Sequence, residues 1–151
     1  MTANGITIRA LADRDQPRWR ELFDGYLTFY ESELSDEVKR TTWQRLLSDD
    51  PNMGGFAAVG ADDRPVGLAH YIIHPSTWTK GPYCYLEDLF VDPDLRGSGI
   101  GRALITELKK HAEASGCERL YWLTQEFNYK GRILYDTVAK KIPFVVYEEL
   151  L

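Results

Sequence analysis

The stretch YLEDLFVDPDLRGSGIGRALI, Tyr85 to Ile105, holds an apolar run with two acids inside it, then a turn, then a helical pattern. Gly97, Gly99 and Gly101 stand at every second position of that turn. The chain has 12 glycines in all, and reversing its direction here needs only one. Each further glycine costs about 0.5–1 kcal/mol of folding entropy. Three readings compete. A dinucleotide-binding turn asks for G-x-G-x-x-G, yet Arg102 stands where the third glycine belongs; a Walker loop asks for a Lys-Ser or Lys-Thr that does not follow. A plain flexible turn is the second reading. In the third, consecutive backbone N–H groups face one concavity, and the helix opening near Gly99 points its positive end into it. That makes a cradle for a pyrophosphate, with Arg96 and Arg102 at its edges.

Upstream, ITIRALADRD reads as a short strand, Ile6 to Ala10, running into a cap at Asp13 or Asp15. PRWRELFDGYLTFYESEL spaces Trp19, Leu22, Phe23, Tyr26, Leu27 and Tyr30 at three- and four-residue steps. That is an amphipathic helix with Pro17 in its first turn. Ser35 caps a second helix on Val38, Thr42 and Leu46, with Asp36 and Glu37 where the helix dipole favours acids. The period then changes. GGFAAVGADDRPVGLAHYIIH is two apolar runs around a hairpin signal, PSTWTKGP is a loop, and YCYLEDLFVD is a further strand.

Downstream, RALITELKKHAEASG is a helix with Ala103, Leu104, Leu108 and Ala112 on one face and Gly116 as its stop. ERLYWLTQ reads as a strand, YKGRILYDTVAKK as a helix and PFVVYEEL as a last strand. Strand, two helices, a run of strands, helix, strand, helix, strand describes an α/β chain with a mixed sheet flanked by helices.

Hydrophobic residues at 44% and charged residues at 27% suit one soluble domain spanning residues 1–151. A net charge of −5 disfavours a nucleic-acid surface and favours small cationic partners. The amino terminus lacks a basic start followed by an apolar run, and no stretch approaches the ~20 apolar residues of a membrane span. Cys84 and Cys117 form no CxxC pair, so reduced thiols in a cytoplasmic protein are expected. His70, His74 and His111 have no ligand spacing, and no metal is expected.

The acids of LED need their own explanation. Adjacent carboxylates in an apolar strand cost several kcal/mol if buried unpaired. Strand alternation sends Glu87 and Asp88 to opposite faces, which argues against a carboxylate pair; one wet face would make them ordinary exposed acids. FYESE ends a helix in acids, which reads most simply as a solvated helix end. Tyr135, among Ile133, Leu134 and Val138, reads by pattern as a core aromatic.

The motifs R-G-x-G-x-G after LFVDP, Leu89 to Pro93, and NYKGRILYD, Asn128 to Asp136, resemble the two signatures of the GNAT superfamily of N-acetyltransferases. YLEDLFV is similar to the spermidine/spermine acetyltransferase branch. YWLTQEFNYKGRILYD is similar to the yeast histone and polyamine acetyltransferase group. The resemblance implies a GNAT fold: a central, mixed, mostly antiparallel twisted sheet of about six to seven strands, flanked by about four helices. It implies acetyl-CoA as cofactor, with Leu89, Phe90 and Val91 pairing the pantetheine arm and Arg96, Gly97, Ser98, Gly99, Ile100, Gly101 and Arg102 forming the pyrophosphate loop. Asn128, Tyr129 and Gly131 resemble the second cofactor contact, and Tyr135 the tyrosine that hydrogen-bonds the CoA sulfur.

The same resemblance makes Glu87 the general base, Asp88 a substrate-side acid, and Tyr30 and Glu31 a lining for the acceptor cleft. A polyamine, a lysine-like amine or a basic peptide is the expected acceptor, attacked in a ternary complex. The α-amine of an amino acid, or a non-catalytic acyl-CoA sensor, are the alternatives. Trp78 either walls the cleft or simply packs. The last strand implies a homodimer. Ile142-Pro143 stands where relatives carry a glycine, which alters the final turn.

Overall fold

The computed structural model describes residues 5–151. Its strands are β1 (Thr7–Ala10), β2 (Met53–Val59), β3 (Pro65–His74), β4 (Tyr83–Val91) and β5 (Arg119–Tyr121). Its helices are α1 (Gln16–Phe29), α2 (Asp36–Leu46), α3 (Ile100–Ala114) and α4 (Tyr129–Val138). The strands form one sheet in chain order, antiparallel except for the parallel β4–β5 pair.

Most boundaries follow local chemistry. Ser35 accepts from the Val38 N–H and opens α2, as its position before two acids predicts. Gly116, at φ +76°, ends α3. The expected cap at Asp15 is instead a buried ion pair. Its carboxylate accepts two hydrogen bonds from Arg9, at 2.7 and 2.8 Å, and one from the Ala12 N–H at 2.8 Å.

Two cores form, one on each face of the sheet. Trp19, Leu22, Phe23 and Leu27 of α1 and Leu46 of α2 pack with Ala57, Val59, Leu68 and Phe90 on one face. Ile100, Leu104, Ile105 and Leu108 of α3 pack with Ala58, Ala69, Tyr71, Ile73, Cys84 and Leu86 on the other. Gly25 lets α1 press on β4, since a Cβ there would lie 3.1 Å from the Phe90 ring.

Two expectations about the sheet are corrected. The described residues form five strands rather than six to seven, and PFVVYEEL is not a strand among them. A strand exists only where another backbone completes its hydrogen bonds, and β5 offers three residues at the sheet edge. Phe144, Val145, Val146 and Tyr147 are 68–92% exposed.

The second departure positions the site. His70 pairs with Asp88, but the next residue of β3, Tyr71, pairs with Leu86. Glu87 is therefore an extra residue, a β-bulge. Cys84 and Leu86 face α3 before it, and Leu89 and Val91 face the same helix after it. Alternation is reset at this point, so Glu87 and Asp88 both face α1. The opposite-face expectation for these acids is overturned.

Candidate active site

The glycine loop is built for three different reasons. Asp92 accepts from the Asp94 N–H at 3.0 Å and starts the turn after β4. Arg18 of α1 ties that turn down, reaching Asp92 at 2.6 Å and the Pro65 carbonyl at 3.0 Å. Gly97 and Gly99 have φ of +81° and +85°, a left-handed backbone that side chains disfavour, and added Cβ atoms there would meet nothing within 4 Å. Gly101 has no such φ; its Cβ would stand 3.3 Å from Leu134 Cδ2, so its bareness admits α4.

The first hydrogen bond of α3 runs from the Ala103 N–H to the Gly99 carbonyl at 3.0 Å. The N–H groups of Ile100, Gly101 and Arg102 lie ahead of it and have no acceptor within the helix. Open space over a helix N-terminus with such donors fits a pyrophosphate. Arg102 stands beside it, its Nη2 donating to Thr137 Oγ1 at 2.8 Å. Arg96 turns the other way. Its guanidinium stacks on Phe29 at 5.4 Å and Phe90 at 5.2 Å, and its Nε donates to the Val91 carbonyl at 3.2 Å.

Pairing between β4 and β5 stops at Tyr85 and Tyr121, so the strands part there. Among the described residues, Leu86 to Val91 have no strand neighbour on that side, which leaves a slot walled by backbone and fit for an extended chain such as a pantetheine arm. Asn128 serves α4 itself: it accepts from the Gly131 N–H at 3.2 Å and donates to Thr124 at 2.9 Å. The space that Gly131 leaves is filled by Asn128, because a Cβ there would come within 2.5 Å of its amide nitrogen. Tyr129 points outward, 71% exposed.

The bulge gathers the chemistry. Although the Glu87 side chain is exposed, desolvation by surrounding protein raises its carboxyl pKa, and the neighbouring Asp88 raises it further. Tyr85 lies beside both acids and is also pushed up, by burial first and then by Glu87. Tyr135 is half-buried against Trp122, with ring centroids 5.5 Å apart. Burial, and then Tyr30, push its phenol to about 12. Tyr30 itself packs on Tyr26 at 4.9 Å. Tyr30 is thus an electrostatic neighbour of both Tyr85 and Tyr135, while Glu31 stands exposed on the loop beyond α1 with φ +53°. Trp78 is 79% exposed.

Several cleft residues escape sequence reasoning. Tyr83, Tyr85 and Tyr121 make an aromatic floor, with Tyr85 stacked on Tyr121 at 5.0 Å. Arg119 lies over Tyr83 at 5.1 Å and over Tyr121 at 4.7 Å. His70 Nδ1 lies 2.9 Å from Asp88 Oδ2. The one signal for His70 was a lone polar residue in the apolar run GLAHYII.

Comparison with known proteins extends this geometry. A model of the Acetyltransferase (GNAT) family matches residues 18–138. The D-amino-acid N-acetyltransferase HPA3 of Saccharomyces cerevisiae is 30% identical over 151 residues, covering 98% of this chain and 92% of that protein. The thialysine N-epsilon-acetyltransferase of Caenorhabditis elegans is 34% identical over 99 residues, covering 64% of this chain and 61% of that one. The solved structure of AAC(6')-Iy with a CoA bisubstrate analogue superposes with a TM-score of 0.84 at 20% identity, covering 97% of this chain and 98% of that one, a likeness of fold. A donor-lined helix start, a parted strand pair and a match across most of its length lead to one conclusion: this chain belongs to the GNAT family of acetyl-CoA-dependent N-acetyltransferases.

Proposed function

We propose that this N-acetyltransferase acetylates a primary amine drawn into the cleft between Tyr30, Tyr85 and the two carboxylates. The observation that carries the reading is the bulge, which turns Glu87 and Asp88 to the same face. An ammonium resembling a lysine side chain has a pKa near ~10.4 and must lose a proton before it can attack. Glu87 takes that proton, while Asp88 holds the cation. A raised pKa suits the role, since a base works best when its pKa lies near the working pH.

The residues from Gly97 to Arg102 would hold the cofactor's diphosphate and the wall from Leu89 to Val91 its pantetheine arm; the bound cofactor supplies the activated acetyl group. Backbone N–H groups near Phe90 polarise the thioester carbonyl. With the cofactor bound, attack of the amine nitrogen on the acetyl carbon would break the carbon–sulfur bond; Tyr135 would give its phenolic proton to the departing sulfur, and the second proton that the nitrogen sheds on becoming an amide would restore the phenol. With a pKa of about 12, Tyr135 carries that proton throughout the neutral range.

Polyamines, lysine-like amines and basic peptides suit an acidic cleft on a chain of net charge −5. A second reading, the α-amine of an amino acid, is favoured by Arg119 at the far end of the tyrosine floor, where a carboxylate would find a cation. The name of the yeast relative points the same way. Thiol release from acetyl-CoA across a panel of amines tests the function. Turnover with diamines and none with amino acids supports the first reading, the reverse supports the second, and no release with any amine removes both.

The enzyme works as one domain over residues 1–151, in the cytoplasm and as a homodimer. Two free cysteines support the compartment, and no helix among the described residues is long and apolar enough to cross a membrane. The unpaired apolar segment from Phe144 to Tyr147 supports the dimer.

A further inference from the structure

Two polar or charged side chains are buried among the described residues, Asp15 and His70. Arg9 accounts for Asp15. His70 lies in an aromatic cluster, 6.1 Å from the Trp19 ring and 5.4 Å from Phe23, and is 3% exposed. Such a ring is costly to bury unless both nitrogens are satisfied.

Both are, and in one direction only. The indole N–H of Trp19 is a donor and nothing else, and it lies 2.9 Å from His70 Nε2. Nε2 must therefore present its lone pair. The ring proton then resides on Nδ1, which stands 2.9 Å from Asp88 Oδ2. Protonating the ring fully would set one N–H against another. Trp19 itself is wholly buried, so water cannot substitute for it.

We propose that Trp19 and His70 form a positioning relay: the indole fixes the imidazole as a one-way donor, and the imidazole holds the Asp88 carboxylate as its hydrogen-bond acceptor, leaving Glu87 to exchange the acceptor's proton. This rests on the reading of Glu87 as general base. Two carboxylates on one face compete for the first proton, and hydrogen bonds to a charged form keep it charged. Asp88 receives one from His70 and has the Tyr26 hydroxyl within reach. The Glu87 carboxylate has no hydrogen-bond partner among the described residues, and the groups facing it are Tyr85 and Asp88 of β4 and His70 of β3. Tyr26 of α1 faces Asp88, Tyr30 just past the end of α1 and Tyr121 of β5 face Tyr85, and Tyr30 also faces Tyr135 of α4. The relay thus supplies the asymmetry between two adjacent, chemically similar acids.

The first test reads the ring state in the wild-type enzyme. Long-range proton–nitrogen NMR of the 15N-labelled wild-type enzyme reads the ring state of each of the three histidines from pH 5.5 to 8.5, with His70 assigned by its loss in His70→Asn. The relay requires a neutral ring protonated at Nδ1 over the whole range. A ring protonated at Nε2, or titrating with a midpoint near ~6.5, overturns it.

The second test is kinetic. His70→Phe removes the donor to Asp88, which then takes up protons more readily, so the acid limb of kcat/KM for the amine moves to higher pH by about one unit. Affinity for acetyl-CoA stays within about twofold. His70→Asn places an amide N–H near the former Nδ1 and returns the limb to its wild-type position. A fall in rate at every pH with the limb unmoved would make His70 merely structural and remove the proposal. Glu87→Gln separates the two ideas. Retained turnover sinks the general-base reading and with it the kinetic role of the relay; lost turnover beside a titrating His70 sinks the relay alone.

Discussion

Gly101 and Leu134 meet where α3 and α4 cross: a Cβ on the glycine would stand 3.3 Å from Leu134 Cδ2. The third glycine of the loop therefore serves packing, while Gly97 and Gly99 serve conformation. Gly101→Val overpacks this contact and costs about 1–3 kcal/mol. For a chain of this size that lowers Tm by about 2–4 °C per kcal/mol, read by thermal denaturation. Gly99→Ala instead forces a side chain into the left-handed region at about 1–2 kcal/mol and distorts the donors, so acetyl-CoA affinity measured by calorimetry drops at least about tenfold. Equal effects of both changes on affinity and Tm would contradict this division.

Glu87→Gln removes the proposed base and lowers kcat by about 10²–10⁴-fold. In the wild type the base acts only when deprotonated. Its pKa is raised, by desolvation and then by Asp88, so activity falls on the acid side at a pH above the ordinary carboxylate range. A pH–rate profile of the variant lacks that limb.

Tyr135→Phe deletes the proton offered to the leaving sulfur and little else, because the ring keeps its contact with Trp122. Turnover falls about 10²-fold while the acetyl-CoA Kd changes less than about threefold. With its phenol near 12, Tyr135 contributes no limb to the profile below pH 10. Stopped-flow binding and steady-state assays separate the two quantities, and parallel losses in both would assign the residue to binding.

Asp15 governs stability in acid. Burial raises its pKa, but hydrogen bonds from Arg9 and the Ala12 N–H, with the Arg9 charge, outweigh burial and leave it below the ordinary value. A depressed folded pKa gives stability that is complete above the unfolded value of ~3.9 and is lost as pH falls through the folded one. Asp15→Asn removes the carboxylate that Arg9 and the Ala12 N–H bond, while Arg9 keeps Asp63 at 2.8 Å, and costs about 1–3 kcal/mol at neutral pH. The gap in Tm between variant and wild type narrows as pH drops below about 4.

Removing residues 143–151 deletes the exposed apolar tail and its unpaired backbone. Light scattering is expected to give twice 17.3 kDa for the full chain and a monomer for the truncated one. A full chain that is monomeric at assay concentrations refutes the dimer.

Helix positions and the glycine loop were legible because both are local: three- and four-residue spacing, a Ser35 cap, a run of small residues before a helix. The placement of Glu87 was not. Whether it lies across from Asp88 or beside it depends on which β4 residue sits opposite His70, and that register is a property of two strands distant in sequence. Asn128 and Gly131 were legible as a motif but not as a cap and the space that the cap fills. Arg96 was legible as a charge beside the loop, whereas its stacking on Phe29 and Phe90 depends on how α1 lies over β4. The final strand failed for a related reason, since propensity describes one chain and a sheet needs two.

The extra residue at Glu87 also governs which genetic changes β4 can absorb. Many substitutions leave its inward and outward sides intact. Losing the Glu87 codon would leave plain alternation, with Leu89 and Val91 still toward α3 and Phe90 still beneath α1, so both cores would keep their linings and only the second acid on the α1 face would go. The extra residue thus serves the chemistry of the cleft and not the packing of either core.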